Sequence, residues 1–183
     1  RARVWDAGRL GCGTFSDAGG ARTVVAEAPE FASDGPGVVS LSLSFDGATF
    51  TAHPASISYY DEPTLTAVEP SAAPLEGGTP LLLRAGGGGL VPSADACAYF
   101  YSTSGELVAR VPAEHESAGC VRVVSPHVDD PTGATVKLAL DGQHPASAGV
   151  AFTFYRSPTL AGISPQWALA SGGAKVTVRG DGV

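Results

Sequence analysis

Methionine and asparagine are missing from this chain of 183 residues, and arginine far outnumbers lysine. Without asparagine there is no N-x-[ST] acceptor, so N-linked glycosylation of this stretch is excluded. Cysteine occurs only three times, at Cys12, Cys97 and Cys120, never as C-x-x-C, which excludes the usual structural zinc spacing. No apolar run approaches the ~18 residues of a membrane helix. The 11 cations are scattered, against 18 acids, for a net charge of −7. Phosphate backbones reward clustered Lys and Arg, so nucleic acid is not an expected partner. There is no Gly-x-Ser-x-Gly elbow, no framework pair of carboxylates and no metal-ligand trio, so no catalytic centre, metal or cofactor is expected. No initiating Met and no signal-peptide pattern is present, and the chain reads as an internal piece of something longer.

What is abundant is glycine (24), proline (14) and apolar residues (44%). Gly and Pro lie between apolar stretches, as in an all-β domain with many turns. In "VVSLSLSF" apolar residues alternate with Ser, so one face is buried and the other wet. "GVAFTFY" repeats the pattern with Val150, Phe152 and Phe154 on one face. "TPLLLRA", "ACAYFY" and "AKVTVRG" read as further short strands. Asp46-Gly47 predicts a two-residue type I′ hairpin, because Asp-Gly tolerates positive φ. No window holds a 3.6-residue period over three turns, so helix is not expected.

The chain also repeats itself. "EPTLTAVEP" at 62–70 returns as "SPTLAGISP" at 157–165, a shift of 95 residues. At that shift Tyr60 falls on Tyr155, Pro63 on Pro158, Leu65 on Leu160, Pro70 on Pro165, Gly77-Gly78 on Gly172-Gly173 and Arg84 on Arg179. Upstream, "VSLSLSFDG" falls on "ATVKLALDG", which carries Asp46-Gly47 onto Asp141-Gly142. A period of this size belongs to sandwich modules rather than solenoid turns. The expected division is the tail of one repeat at 1–62, a whole repeat at 63–157 and the head of a third at 158–183.

The pattern P-x-L-x-x-(I/V)-x-P followed by G-G-x-x-(L/V)-x-(L/V), closing a module later on "FTFY", resembles the IPT/TIG domain. The stretches that carry it are "PTLTAVEPSAAPLEGGTPLLLRAGG" and "PTLAGISPQWALASGGAKVTVRGDG". The resemblance implies tandem early-set immunoglobulin-like β-sandwiches of the kind found in cell-surface receptors and other extracellular proteins. Extracellular members often carry cystine bridges, which favours pairing Cys97 with Cys120. Closing that loop would stabilise the fold by about 3 kcal/mol. The alternative is two reduced, buried thiols. The first repeat has no cysteine to match Cys120, and Cys12 is left over.

Tyr60 ends one module and Leu65 begins the next, with Pro63 between them. Tyr155, Pro158 and Leu160 mark the second seam. Proline fixes φ and pushes its predecessor into extended conformations, so these seams are expected to be short and stiff, making a rod. The other marked residues read as loop features. Gly86 to Gly89 lack a following Gly-Lys-Ser/Thr and are expected in a surface loop. Asp61-Glu62 sit at a seam where a calcium clamp could form, but the matching Arg156-Ser157 carry no carboxylate, which counts against one. Asp129-Asp130 and Asp181, with His53, His115, His127 and His144, are expected in solvated turns. Trp5 is expected to pack, and Trp167 is the one candidate for stacking on a ligand. The expected role is a non-enzymatic spacer and protein–protein contact segment, meeting other chains or neighbouring repeats. The alternative is a glycan-binding accessory module.

Overall fold

The computed structural model describes residues 2–6, 9–18, 21–25, 27–28, 36–46, 48–51, 55–87 and 89–182; up to residue 24 the description covers backbone only. Every element among them is a strand. Two compact units are present, Arg1–Asp61 and Glu62–Val183.

The first unit holds β1 (Ala2–Asp6), β2 (Arg9–Ala18), β3 (Ala21–Val25), β4 (Gly37–Ser44) and β5 (Ala55–Tyr59). They form one antiparallel sheet in the order β3-β2-β1-β4-β5. Val39 is buried, while Leu41, Leu43, Ile57 and Tyr59 are half-buried.

The second unit contains β6 (Thr64–Glu69), β7 (Ala72–Pro74), β8 (Pro80–Gly86), β9 (Cys97–Ser102), β10 (Leu107–Ser117), β11 (Cys120–Val124), β12 (Thr132–Ala139) and β13 (Val150–Tyr155). Their order is β6-β8-β11-β10-β9-β12-β13-β7, and β7 alone runs parallel, against β13. The long β10 makes this one ladder into two layers. Its residues Leu107–Pro112 pair with β9, and Ala113–Ser117 pair with β11. Leu65, Val68, Leu81, Leu83, Val121 and Val123 face inward from one layer. From the other come Ala98, Phe100, Val136, Leu138, Phe152 and Phe154, none of the twelve more than 6% exposed. The alternation of these side chains with polar neighbours is the cause of the layering, since each apolar face must be covered by another. At about 1.5–3 kcal/mol per fully buried Leu, Val or Phe, this core is the main stabilising feature. Phe100, Phe152 and Phe154 form an edge-on trio with centroids 5.0 to 5.8 Å apart. The result is an immunoglobulin-like sandwich, as the strand pattern predicts, with eight strands in this stretch.

Beyond it lies a two-stranded sheet of β14 (Thr159–Ser164) and β15 (Thr177–Asp181). Its local geometry copies that of β6 and β8. The β6–β8 register breaks between Leu65 and Ala67, and the β14–β15 register between Leu160 and Gly162. Gly77 and Gly78 have positive φ, as do Gly172 and Gly173, and the bonds before Pro70 and Pro165 are both cis. Burial differs sharply. Leu65, Val68, Leu81 and Leu83 are at most 6% exposed, whereas the matching Leu160, Ile163, Val176 and Val178 are 46–72% exposed.

Gly47 of the expected type I′ turn lies outside the described residues, but the connection it sits in, like its counterpart after Asp141, is longer than two residues. Strands β4 and β5 are joined by residues 45–54, and β12 and β13 by 140–149, rather than by two residues. In both connections the aspartate carboxylate caps the amides that follow it. Asp46 accepts from the amides of Ala48 (2.8 Å) and Thr49 (2.7 Å), and Asp141 from those of Gln143 (2.9 Å) and His144 (2.8 Å). A carboxylate accepting from amides two and three residues on is an Asx-type turn. Each loop then rejoins its strand at the same place: Thr51 N donates to Leu43 O (2.9 Å), and Ala146 N to Leu138 O (3.0 Å).

Candidate interaction surface

On β9, Ala98 and Phe100 point into the sandwich, so Cys97, Tyr99 and Tyr101 lie on its outer side. Arg110 of β10 and Lys137 of β12 are both directly opposite Tyr99 in the ladder. The two tyrosine rings stack, with centroids 6.3 Å apart and planes at 12°. The Arg110 guanidinium sits 5.8 Å from the Tyr99 centroid, and the Lys137 ammonium 5.7 Å from that of Tyr101. The cations thus rest on the negative faces of the rings. The Asp141 loop folds over this ladder and ties to it. Gly142 O accepts from Tyr99 Oη (2.7 Å) and from Arg110 (2.9 Å), and Lys137 donates to Ser147 O (2.7 Å). At the margin is a polar cleft of about 480 Å³, lined among others by Asp95, Cys97, Arg110, Asp141 and Gln143. Arg110 is exposed and Tyr101 and Lys137 are half-buried, while Tyr99 is buried beneath them.

The same loop reaches Glu62. Glu62, immediately before Pro63, accepts a hydrogen bond from the amide of Ser147. Further along the chain, Ser157 Oγ donates to Glu76 (3.0 Å). Ser147 holds the Glu62 carboxyl below its ordinary range; for Glu76 its own amide does so first and Ser157 second. Leu65 is buried, Tyr60 is half-buried just past β5, and Tyr155 ends β13 with Pro158 before β14.

Several residues marked in the sequence are not brought together. Cys97 and Cys120 are both free thiols, which corrects the expected bridge. The ladder explains why. Cys97 is opposite Pro112 and Cys120 opposite Ser117, on strands either side of β10 and in different layers. At ~3.3 Å per residue that is roughly 15 Å along β10, far beyond the reach of a bridge. Cys97 is buried with its Sγ 3.4 Å from Asp95 O, while half-buried Cys120 lies 3.8 Å from Arg84. Cys12 falls on β2 and Trp5 on β1; their side chains, His53, and Gly88 of the glycine run lie outside the described residues. Gly87 and Gly89 have positive φ beyond β8. Asp129 is exposed 3.5 Å from His127, Asp141 pairs with His144 at 2.6 Å, His115 is exposed on β10, and Asp181 ends β15. Among the described residues no three His, Cys, Asp or Glu cluster as metal ligands. Trp167 is 88% exposed. The surface ladder was missed in the sequence; its one signal was a lysine and two tyrosines at outward positions of neighbouring strands.

No family model matches the chain. Among curated proteins it is similar to Plexin-A3 of Rattus norvegicus, 27% identical over 145 residues, which is 79% of this chain and 7% of that protein. It is also similar to Plexin-B3 of Homo sapiens, 34% identical over 119 residues, 64% of this chain and 6% of that protein. Among solved structures it resembles the full extracellular region of Plexin A4, with a TM-score of 0.57 and 18% identity. That match covers 97% of this chain and 15% of that one. The domain is of IPT/TIG type. The chain spans under a tenth of the length of the curated relatives it matches. As an IPT/TIG-type segment of this kind it is extracellular or cell-surface.

Proposed function

We propose that the chain is a non-enzymatic structural and interaction segment of a larger multi-repeat protein. It divides into an IPT/TIG-like repeat tail at 1–62, a complete repeat at 63–157 and the head of a third at 158–183. Its seams act as stiff joints, and the Tyr99–Tyr101–Arg110–Lys137 face of the middle repeat is its protein contact surface. The observation that carries the spacer reading is the pair of seam hydrogen bonds. The middle sandwich holds the entering chain at Glu62 through Ser147 and the leaving chain at Ser157 through Glu76. With proline next in both places, little freedom is left to swivel. Spin labels on β4 and β12 should report one narrow distance distribution, broadened in Glu62→Ala. A broad distribution in the parent chain overturns the stiff joint. A second reading, glycan stacking, has in its favour the 88% exposure of Trp167. It requires glycan-array binding that Trp167→Ala abolishes.

A further inference from the structure

Strands β10 and β11 fork. Their ladder runs from Ser117↔Cys120 to Ala113↔Val123, and the next pair would set Pro112 against Val124. Proline has no N–H to give, so the ladder stops there. From the fork β11 stays with β8 as far as Val124, while β10 keeps to β9 back to Leu107. Ala113 donates its amide to Ala96 O (2.8 Å), on the β9 side. Backbone groups alternate along a strand, so Val111 also faces β9. Arg110 then turns its N–H and C=O, and Pro112 its C=O, to the side that β11 has left. Among the described residues no strand pairs with that side of 107–111.

The opening is an apolar groove of about 360 Å³, lined among others by Val111, Pro112, Glu114, Arg122, Val123 and Val124. Apolar exposure gathers around it. Leu107, Val108 and Val124 are 49%, 37% and 51% exposed, and between residues 63 and 157 only Val91 and Tyr155 join them as exposed large apolar side chains. The charges at its mouth are uneven. Glu116 takes both hydrogen bonds of the Arg122 guanidinium (2.8 Å each). The Glu114 carboxylate, on the residue opposite Arg122, holds no hydrogen bond or ion pair among the described residues.

We propose that this fork is a docking site for an extended segment of another protein, which adds as a strand to the 107–111 edge of β10. Three observations set the chemistry of that segment. Open N–H and C=O groups along one edge are matched in register by another strand. Every second side chain of an added strand points into the groove, so the segment is apolar at alternate positions. The unpaired Glu114 at the mouth favours a segment that carries Lys or Arg. The site is separate from the Tyr99–Tyr101 face and does not rest on it. It uses the backbone of Arg110, whose guanidinium stays with Tyr99 and Gly142.

The test titrates the isotope-labelled 183-residue chain with a capped heptapeptide of alternating Val and Thr between two terminal Lys. A cation at each end serves either strand direction. Amides of 107–111 and 123–125 should shift together and saturate, with a midpoint below ~1 mM. Methylating every second peptide nitrogen, in each of the two phases, should weaken binding by about tenfold or more in one phase only, because alternate amides of a strand face opposite ways. Glu114→Gln should weaken binding about two- to fivefold and remove the preference over the same peptide with Glu ends. Val124→Lys, at an exposed side chain, should weaken it about tenfold. Undisturbed amides of β8 and β12 in each variant check that the fold is kept. No saturable shift by ~1 mM, equal binding in both methylated phases, or shifts centred on Tyr101 and Lys137 overturns the proposal.

Discussion

Leu83 and Val178 occupy the same place in two copies of one phrase, yet one is 0% exposed and the other 47%. Truncating both to alanine therefore separates burial from sequence. Leu83→Ala removes three carbons, about 2.4 kcal/mol of transfer free energy at ~0.8 kcal/mol each. Leu83 is fully buried, so a cavity term adds to this, for about 3–4 kcal/mol in all. For a module of this size that lowers the melting temperature by roughly 12 °C or more. Val178→Ala removes two carbons from a side chain already half in water and should cost about 0.5 kcal/mol or less in dilute solution. Native-state hydrogen exchange at β8 and β12 amides reads the opening free energy of the middle sandwich, whatever the other strands do. Equal costs at the two sites, or a Leu83→Ala cost under about 1 kcal/mol, would refute the assignment of a complete core to one phrase and an open one to the other.

Gly142 has φ +69°, and an added Cβ would lie 2.5 Å from Asp95 O, so Gly142→Ala should destabilise by about 3 kcal/mol. Gly78 has φ +79° with nothing within 4 Å of its Cβ, so Gly78→Ala should cost only about 1 kcal/mol; urea denaturation of both variants checks the order. Acid should weaken the fold through a defined set of carboxylates. Thr49 and Ala48 amides hold Asp46 well down, and Arg84 lowers Glu69. Burial pushes Asp141 up, but the His144 and Gln143 bonds together outweigh it and leave it lowered. Folded-state values below the unfolded ones mean that this stability is fully present above the unfolded value and is lost as pH falls through the folded one. The urea midpoint should hold steady from neutral pH to about 5 and fall below about 4, less steeply in Glu69→Gln; no fall by pH 3 contradicts this. Thiol alkylation of the folded chain should modify half-buried Cys120 faster than buried Cys97, and non-reducing peptide mapping should find no 97–120 link.

The strands were legible wherever one face is buried and the other wet. In β13 the inward Phe152 and Phe154 alternate with exposed residues, as the sequence pattern demands. The 95-residue phrase was legible too, because the residues it repeats are ones that dictate backbone: Gly77 and Gly78 at positive φ, and an Asp that caps its own loop. What the Asp does with that cap was not legible. Asp-Gly is compatible both with a tight hairpin and with a wide loop, and the choice depends on where β13 must start to pair with β12. The cysteines failed for a related reason. Loop length alone brings Cys97 and Cys120 near each other, but the crossing of β10 from one layer to the other sends them apart. Spacing along a chain carries no information about which layer a strand joins.

The outer ladder follows from the same logic. Repeated residues fix the backbone, so whatever distinguishes one repeat from another must lie on surfaces the backbone leaves free. Lys137, which lies over Tyr101 and ties down Ser147, has Ser42 at the corresponding place in the first repeat. Serine can neither cover a ring nor reach across a loop, so Ser42 on β4 can make neither of the contacts that Lys137 makes on β12. Because Ser147 also donates to Glu62, one lysine links the proposed contact surface to the proposed joint. A partner that drew Lys137 away from Ser147 would loosen the loop that grips Glu62. Lys137→Ser should reproduce this, raising amide exchange at residues 142–147 while leaving the β8 and β12 core protected. Unchanged exchange in that loop would show that surface and seam are independent.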